Sequence, residues 1–588
     1  MLKIFGRIGK NLSRNNLSFT GILPAGVESY YKNLRYFKDN NYKISVCGLA
    51  PIDDCIAEDE NLIVVFQGNL FDKPKAEKTA SHIISLYNKK HSINFVKKIN
   101  GSFNLLLIDK KKQLIFIITD KYGSRPLFVC RCADGFAFGS EVKLLIPLLD
   151  RKPPINWKAW GEYLTFRFTL GEETFYKDIR LISNGTLVKI SYRDAISVRQ
   201  EKYWDFSQID IDYNSSYEQK TSEGVEIFRK VFSDLGKTIE GSKSITALSG
   251  GYDSRCIVAG LKKFSNQSDF DTITTLHPCG SEKDIVCELS NALGINSIYI
   301  DRPADIYERF FVMKAYLSDC LVQEHLWTMP MLETIKKYDT YIDGIGGDII
   351  MRSTRVRPIH IQMKANSRYL AKLFRKQFGF EYSWLEDYLN PEVWKSIKYK
   401  EDWVVDELNN IPTTENRMVV FLMKNRIRNG ISITPSNIIG SCLKTVIQPF
   451  FNDKLITFGL SIQHDYKFKF IYRRIIDTAF PEVKQIRSTS DENLEKLRAY
   501  DQRIMQFNEN PRELISDYSE ISKNDARYLF DLLNRLDFPP FLRKRKIIND
   551  AKMNLKINRI STILDIVLWF NFFEKNTPMN KLLKLKTF

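Results

Sequence analysis

The sequence predicts an α/β protein in which a β-rich layered N-terminal domain precedes a doubly wound α/β domain with a helical C-terminal extension. Three observations carry that expectation. Short runs of branched and aromatic residues, NLIVVFQGNLF, GSFNLLLID, QLIFIITD, RPLFVC and GFAFGSE, are punctuated by Gly, Asp-Gly or Lys-rich turns, the pattern of packed antiparallel strands. An apolar run then meets two glycines and a helix-compatible segment between Ser244 and Phe264. Strand and helix patterns go on alternating through DTITTLHP (Asp271 to Pro278), SEKDIVCELSNAL (Ser281 to Leu293) and SIYID (Ser297 to Asp301), as a parallel sheet with crossover helices requires.

Composition bounds the rest. The 588 residues are 44% apolar and 27% charged, with 28 Gly and 20 Pro, which excludes collagen-like, low-complexity and wholly disordered classes and leaves room for two to four domains. The longest apolar candidate, Ile560 to Phe573, is interrupted by Asp565 and Asn571, short of the roughly 18 to 20 uninterrupted residues of a spanning helix, so an integral membrane protein is not expected. The opening MLKIFGRIGK puts charges where an export signal carries its apolar core; a cytoplasmic product is expected. Nine cysteines without a CxxC pair suit a reducing compartment. Cys130 and Cys132 flank one Arg and are read as strand alternation rather than metal ligands, and the six scattered histidines receive no role.

The net charge of +17 is unevenly spread, with eleven Lys or Arg against three acidic residues from Phe541 to Phe588. The rest of the chain is only mildly basic, so nucleic acid is not an expected partner. The tail, LRKRKIINDAKMNLKINR, Ile560 to Phe573 and KLLKLKTF, is expected either to lie as amphipathic helices on an anionic membrane or to be a solvated helix face.

Within the first domain HIISLYNKKH reads as a helix between strands. The polar stretch QIDIDYNSSYEQKTSEG reads as a linker, with a helix from about Val225 to Lys237. The expected division is 1–205, a linker and helix at 206–240, an α/β domain at 241–540 and a basic helical tail at 541–588.

The chemistry concentrates in SITALSGGYDSRCIVAGLKKF. Gly250 and Gly251 let the backbone approach a phosphate chain, and helix N-terminal amides with the Ser249 and Ser254 hydroxyls donate to its oxygens. Asp253 adds a carboxylate where a hard cation, Mg²⁺, would bridge to those oxygens. The plain alternative is a Gly-Gly turn with an Asp cap. A second strand pattern ends in Asp343-Gly344-Ile345-Gly346-Gly347-Asp348.

These residues carry a resemblance. Gln67-Gly68-Asn69, Asn100-Gly101-Ser102-Phe103, DKYGSRPLF (Asp120 to Phe128) and FGSEVKLLI (Phe138 to Ile146) resemble, in order and spacing, the glutaminase domain of asparagine synthetases over roughly residues 1 to 150. Lys202-Tyr203-Trp204-Asp205 closes the domain in that family's manner. The resemblance implies a four-layer αββα domain of the Ntn-hydrolase type. That family begins Met-Cys-Gly-Ile-x-Gly, with the Cys thiolate as nucleophile. Here Leu2 stands at the Cys, Thr79 and Ser81 stand at the acidic pair that anchors glutamine, and Gln67 stands at the oxyanion-hole Asn. Cys47, in VCGLA, lies too close to Gln67 to begin a processed domain. The resemblance therefore implies a scaffold that no longer hydrolyses glutamine.

SGG-x-DS is similar to the pyrophosphate loop of the ATP pyrophosphatase superfamily, and the Gly-x-Gly-Gly-Asp segment resembles the second signature of asparagine synthetases. The resemblance implies that Leu248 and Leu276 flank adenine, that Ser249, Gly250, Gly251, Asp253, Ser254, Asp343 and Gly344 bind ATP, and that Asp253 and Asp348 share Mg²⁺. QPFFNDKLI has Asn452 at the family's Asp; KFKFIYRRII places Lys469 and Arg473 as phosphate contacts on one helix; PEVKQIRSTS places Arg487 in the loop of the family's catalytic lysine, whose position holds Thr489. Ile345 replaces the family's catalytic Glu. What is implied is an AMP-forming amide ligase with Lys469 and Arg487 as its catalytic-site cations, acting on a small carboxylate with ammonia or an amine. β-Lactam synthetases and lasso-peptide cyclases share the architecture without the Cys, and SGG-x-DSR, with Arg255, resembles relatives associated with surface-polysaccharide synthesis, where a sugar carboxylate is amidated. A nucleotide-binding scaffold subunit is the non-enzyme alternative.

Overall fold

The computed structural model describes residues 1–10, 12, 34–48, 54–73, 77–90, 92–265, 270–276, 282–352, 366–489, 523–553 and 557–582. Twelve antiparallel strands come first: β1 (Lys3–Gly9), β2 (Arg35–Lys38), β3 (Tyr42–Cys47), β4 (Ile56–Glu58), β5 (Leu62–Leu70), β6 (Gly101–Asp109), β7 (Leu114–Thr119), β8 (Phe128–Cys132), β9 (Gly135–Gly139), β10 (Ile179–Leu181), β11 (Thr186–Ser191) and β12 (Ser197–Lys202). They form two six-stranded sheets, ordered β10-β8-β9-β1-β3-β2 and β12-β11-β7-β6-β5-β4.

Side-chain alternation decides what each sheet face meets. Ile4, Ile8, Ile44 and Phe138 of the first sheet pack against Ile63, Val65, Leu106 and Ile117 of the second. The second sheet's outer face, with Val64, Phe66 and Leu105, is covered by Ala80, Ile83 and Tyr87 of the helix Thr79–Lys90. The first sheet's outer face, with Phe5, Phe128 and Cys130, is covered by the helix Trp157–Phe166 and by later helices. The result is helix, sheet, sheet, helix. All five expected runs are strands, β5 to β9.

A five-stranded parallel sheet follows, made of β13 (Ser244–Ala247), β14 (Phe270–Leu276), β15 (Ser297–Asp301), β16 (Thr340–Ile342) and β17 (Thr445–Ile447) in the order β15-β14-β13-β16-β17. The inner strands β13 and β16 are buried on both faces, as in parallel sheets generally, while the edge strand β15 is only half-buried. The helices Tyr217–Ile239, Tyr252–Phe264 and Ile471–Ala479 contribute to the core on one side, and Ile245, Ile273, Met331 and Val446 pack on the other. Strand order reverses at β13, which has β14 on one side and β16 on the other. In such sheets ligands bind where the order reverses, at the carboxyl ends of the strands.

The helix expected from about Val225 starts at Tyr217. Ser216 accepts from the Gln219 amide while the Gln219 side chain accepts from the Ser216 amide, a capping box that starts the helix inside the stretch read as linker. The expected strand and helix ends at His277 to Ser281 lie outside the described residues.

The tail is corrected in part. Every residue from Ile560 to Phe573 is buried, and Trp569 of the helix Ile557–Trp569 lies 5.2 Å from the Trp160 ring and 5.5 Å from Tyr176. The apolar face expected to meet lipid is spent on the first domain's outer helical layer. KLLKLKTF lies mostly outside the described residues. No described helix is long and apolar enough to cross a membrane.

The two domains share a polar seam. Arg125, buried, donates to the carbonyls of Ser102 at 2.9 Å and Val446 at 2.8 Å, and Ser102 donates to Gln448 Oε1 at 3.2 Å. Asp453 pairs with Lys121 and accepts from the Tyr122 hydroxyl at 2.9 Å. Asn452, at the position of the family's Asp, caps the helix Asp453–Ser461 by accepting from the Lys454 amide.

Candidate functional site

The loop after β13 is held by its own serines. Ser249 N–H donates to Ser254 Oγ at 3.0 Å, the two hydroxyl oxygens are 3.0 Å apart, and Gly251 N–H donates to Ser249 Oγ at 3.3 Å. Gly251 is the N-cap of the helix Tyr252–Phe264 and contributes no side-chain cap; a helix N-terminus favours an anion through its amides and dipole. Two hydroxyls and the positive end of a helix thus converge beside β13. Leu248 is buried in the core and ties β13 to β14, its N–H donating to Ile273 O at 3.0 Å and its carbonyl accepting from Thr274 Oγ1 at 2.7 Å. Leu276 ends β14, half-buried.

The second glycine segment turns back onto this loop from β16. Gly346 has φ +97°, a left-handed conformation that favours glycine. A Cβ on Gly347 would sit 2.6 Å from Asp253 Cγ, so only glycine lets the segment approach Asp253 this closely. That approach brings the Asp348 N–H to Asp253 Oδ2 at 2.8 Å. The Tyr472 hydroxyl donates to Asp253 Oδ1 at 2.9 Å. Burial, and after it the neighbouring Asp348 carboxylate, push the Asp253 carboxyl up to about 7, against the opposing pull of Tyr472, Arg352 and the Asp348 amide. Asp343, at the end of β16, accepts from the Ile345 amide at 3.0 Å, and burial pushes its carboxyl up to about 6. The structure therefore brings Ser249, Gly250, Gly251, Asp253, Ser254, Gly344 and Asp348 to the reversal point of the sheet.

Tyr472 was not legible in the sequence. It reaches Asp253 from a helix 219 positions away, and an aromatic residue on a helix carries no local signature of such a contact.

The segment expected to form one helix through Lys469 and Arg473 is two, His464–Phe468 and Ile471–Ala479, separated by Phe470 at φ +61°. Lys469 is exposed at the break and its carbonyl accepts from the Tyr217 hydroxyl at 3.0 Å; Arg473 pairs with Asp477 at 3.5 Å on the helix surface. The buried lysine is Lys467, whose Nζ donates to Ile350 O at 2.9 Å in the π-helical turn Asp348–Arg352. Burial pushes its ammonium down to about 7 despite Glu415. The side chain of Arg487 is exposed, while Thr489 lies against Gly250, its N–H donating to Gly250 O at 3.1 Å. Ser490 lies outside the described residues.

In the first domain Leu2 is buried between the two sheets. Gln67, at the expected oxyanion position, is engaged: its Nε2 donates to Leu2 O at 2.7 Å and its Oε1 accepts from Asn104 at 2.8 Å. Thr79 and Ser81 form the first turn of the helix Thr79–Lys90. Cys47 is fully buried, and burial pushes its thiol far above the reactive range. Cys130 and Cys132 sit two apart on β8, as strand alternation predicts. Among the described residues no group of three or more His, Cys, Asp or Glu is placed to hold a metal ion.

Residues 56–204 match the glutamine amidotransferase domain family. A Methanocaldococcus jannaschii protein provisionally named asparagine synthetase [glutamine-hydrolyzing] 2 is 27% identical over 229 residues, 36% of this chain and 43% of that one. Asparagine synthetase [glutamine-hydrolyzing] 2 of Bacillus subtilis is 25% identical over 244 residues, 37% of this chain and 31% of that one. The chain thus resembles asparagine synthetases, and it spans less than half the length of the curated relatives it matches. The B. subtilis glutamine phosphoribosylpyrophosphate amidotransferase complexed with ADP and GMP aligns over 51% of this chain and 90% of that one at 10% identity, with a TM-score of 0.21, too low to carry an argument.

Proposed function

We propose that this chain is an ATP-dependent, AMP-forming amide ligase of the asparagine synthetase type, supplied with ammonia or an amine from outside its own first domain. One observation carries the reading: the hydrogen bond from the Asp348 amide to Asp253, which joins the phosphate-loop carboxylate to the second glycine turn at the reversal point of a parallel sheet. A carboxylate is a poor electrophile because it is anionic and lacks a leaving group. Its attack on the α-phosphorus of ATP gives an acyl adenylate and releases pyrophosphate, and an amine then displaces AMP to give the amide. The Ser249 and Ser254 hydroxyls and the Gly251 amide bind the departing pyrophosphate. Asp343 and Gly344 border the nucleotide from β16.

Mg²⁺ fits the residues present. Burial, and after it the nearby Asp348 carboxylate, raise the Asp253 carboxyl, a condition that a divalent cation relieves. Each Asp253 oxygen accepts one hydrogen bond and retains a further lone pair. Two carboxylates with phosphate oxygens and water are the usual shell for this ion; when bound it would neutralise charge on the triphosphate. Tyr472 and the Asp348 amide hold the carboxylate in one orientation throughout.

The test is pyrophosphate exchange with ATP, Mg²⁺, labelled pyrophosphate and a library of small carboxylic acids that includes uronic acids. Acid-dependent appearance of label in ATP is the expected result. ATP binding without exchange for any acid would overturn the ligase in favour of a nucleotide-binding scaffold, the reading to which Ile345 and Thr489 would then belong.

For the first domain, incubation with glutamine should release no ammonia above the blank. Leu2 has no nucleophilic atom, and Gln67 is already committed to Leu2 O and Asn104. Turnover of glutamine would refute the scaffold role.

A further inference from the structure

We propose that Arg255 and Ser488 form a latch that fixes the orientation of the Gly250–Gly251 peptide and thereby sets the affinity of the loop for the pyrophosphate portion of its ligand. The inference rests on the reading of that loop as an ATP site. Arg255 is a positioning residue here, on the helix Tyr252–Phe264 two residues after Asp253.

Five contacts carry it. The Arg255 guanidinium is 2% exposed and forks across two successive main-chain carbonyls, Ile486 O at 2.6 Å and Arg487 O at 2.5 Å. A planar fork fixes the orientation of the segment it holds, which a single-point lysine cannot do. The next two residues of that segment reach the phosphate loop. Ser488 Oγ donates to Gly250 O at 2.8 Å, and Thr489 N–H donates to the same oxygen at 3.1 Å. A Cβ on Gly250 would lie 2.6 Å from Thr489 Cγ2, so the two segments are in van der Waals contact at the glycine.

The peptide plane transmits the effect. In a trans peptide the carbonyl of one residue and the N–H of the next point in opposite directions. With Gly250 O held toward Ser488 and Thr489, the Gly251 N–H is turned to the opposite side, where it meets Ser249 Oγ at 3.3 Å and joins the paired Ser249 and Ser254 hydroxyls. Glycine has no side chain to oppose a flip of this peptide, so without the latch the amide would sample both orientations and bind an anion in only one. Pre-setting it removes that loss from the affinity.

The experiment measures binding of Mg–ATP, Mg–pyrophosphate and AMP by calorimetry to the full chain and its variants. Ser488→Ala takes one donor from a carbonyl that keeps a second, so no buried group is orphaned; it should weaken ATP and pyrophosphate about three- to tenfold and leave AMP within twofold, the size of one hydrogen bond. Ser488→Thr, which keeps the hydroxyl, should recover most of the loss. Arg255→Lys should weaken both phosphate ligands about tenfold, with AMP again spared. Equal loss for AMP and pyrophosphate in Ser488→Ala, or wild-type affinity in both Ser488→Ala and Arg255→Lys, would overturn the latch. A wild-type chain that binds neither Mg–ATP nor Mg–pyrophosphate would overturn the ATP-site reading itself, a distinct result.

Discussion

Asp253→Asn is expected to lower pyrophosphate exchange about 10²–10³-fold while leaving the chain as stable as the wild type or more so. The loss follows from removing one of two carboxylates that would hold the cation on the triphosphate, a contribution of several kcal/mol to a charged transition state. The retained stability follows from the local geometry. Asn keeps the shape and one carbonyl oxygen, which accepts from the Asp348 amide as Asp253 Oδ2 does. Its amide nitrogen then faces the Tyr472 hydroxyl, which rotates from donor to acceptor. The substitution also removes a buried negative charge beside Asp348; burial first and that neighbour second raise the Asp253 carboxyl to about 7. Sites that trade stability for function in this way gain stability when neutralised. A thermal melt and the exchange assay on the same preparation check the prediction; a variant that melts lower but keeps exchange would assign Asp253 to structure alone.

What could be read from the sequence was what chemistry demands locally. Ser249 to Ser254 sit within six residues, so the serines and glycines of the proposed phosphate loop stand together in the sequence, and the Gly-Gly-Asp ending of the second turn is legible because a side chain on Gly347 would collide with Asp253. What escaped depended on distant segments or on one backbone angle. Tyr472 and Arg255 act through partners more than two hundred positions away, with no periodicity to mark them. The break at Phe470 escaped because a single left-handed residue inside KFKFIYRRII does not disturb its hydrophobic pattern. The capping box at Ser216 and Gln219 was present as a signal and was outweighed by the polarity of its surroundings. β1 was not read as a strand, since Lys3 and Arg7 interrupt its apolar run; both are buried because each has carboxylate partners, Glu141 for Lys3, and Asp134 and Asp150 for Arg7.

The same burial of Lys3 supports the other large effect. Lys3, Glu141, Lys143 and Asp319 form a closed row of alternating charges with side chains at most 4% exposed, joined at 2.5, 2.8 and 3.0 Å. It crosses the domain boundary: Lys3 also donates to Ser436 O and Asn437 Oδ1, and Asp319 accepts from the Val142 amide at 2.7 Å. Burial alone would raise the Glu141 carboxyl, but Lys143 and Lys3 overcome it and hold it at about 2. Glu141→Ala leaves two buried ammonium groups facing one carboxylate, and such a broken pair costs about 3–5 kcal/mol. Lys3→Met in the same chain should restore part of that loss, because it returns the row to a neutral Lys143–Asp319 pair. The pH dependence has a fixed direction. A carboxyl depressed from 4.5 to about 2 contributes stability that is complete above 4.5 and disappears as pH falls toward 2. The deficit of Glu141→Ala against the wild type should therefore be largest near neutrality and shrink below pH 4.5. Urea midpoints of the two single variants and the double variant, measured at neutral pH and at pH 3, decide it; a double variant no more stable than Glu141→Ala would mean that Lys3 is stabilised by its contacts to Ser436 and Asn437 and not by Glu141.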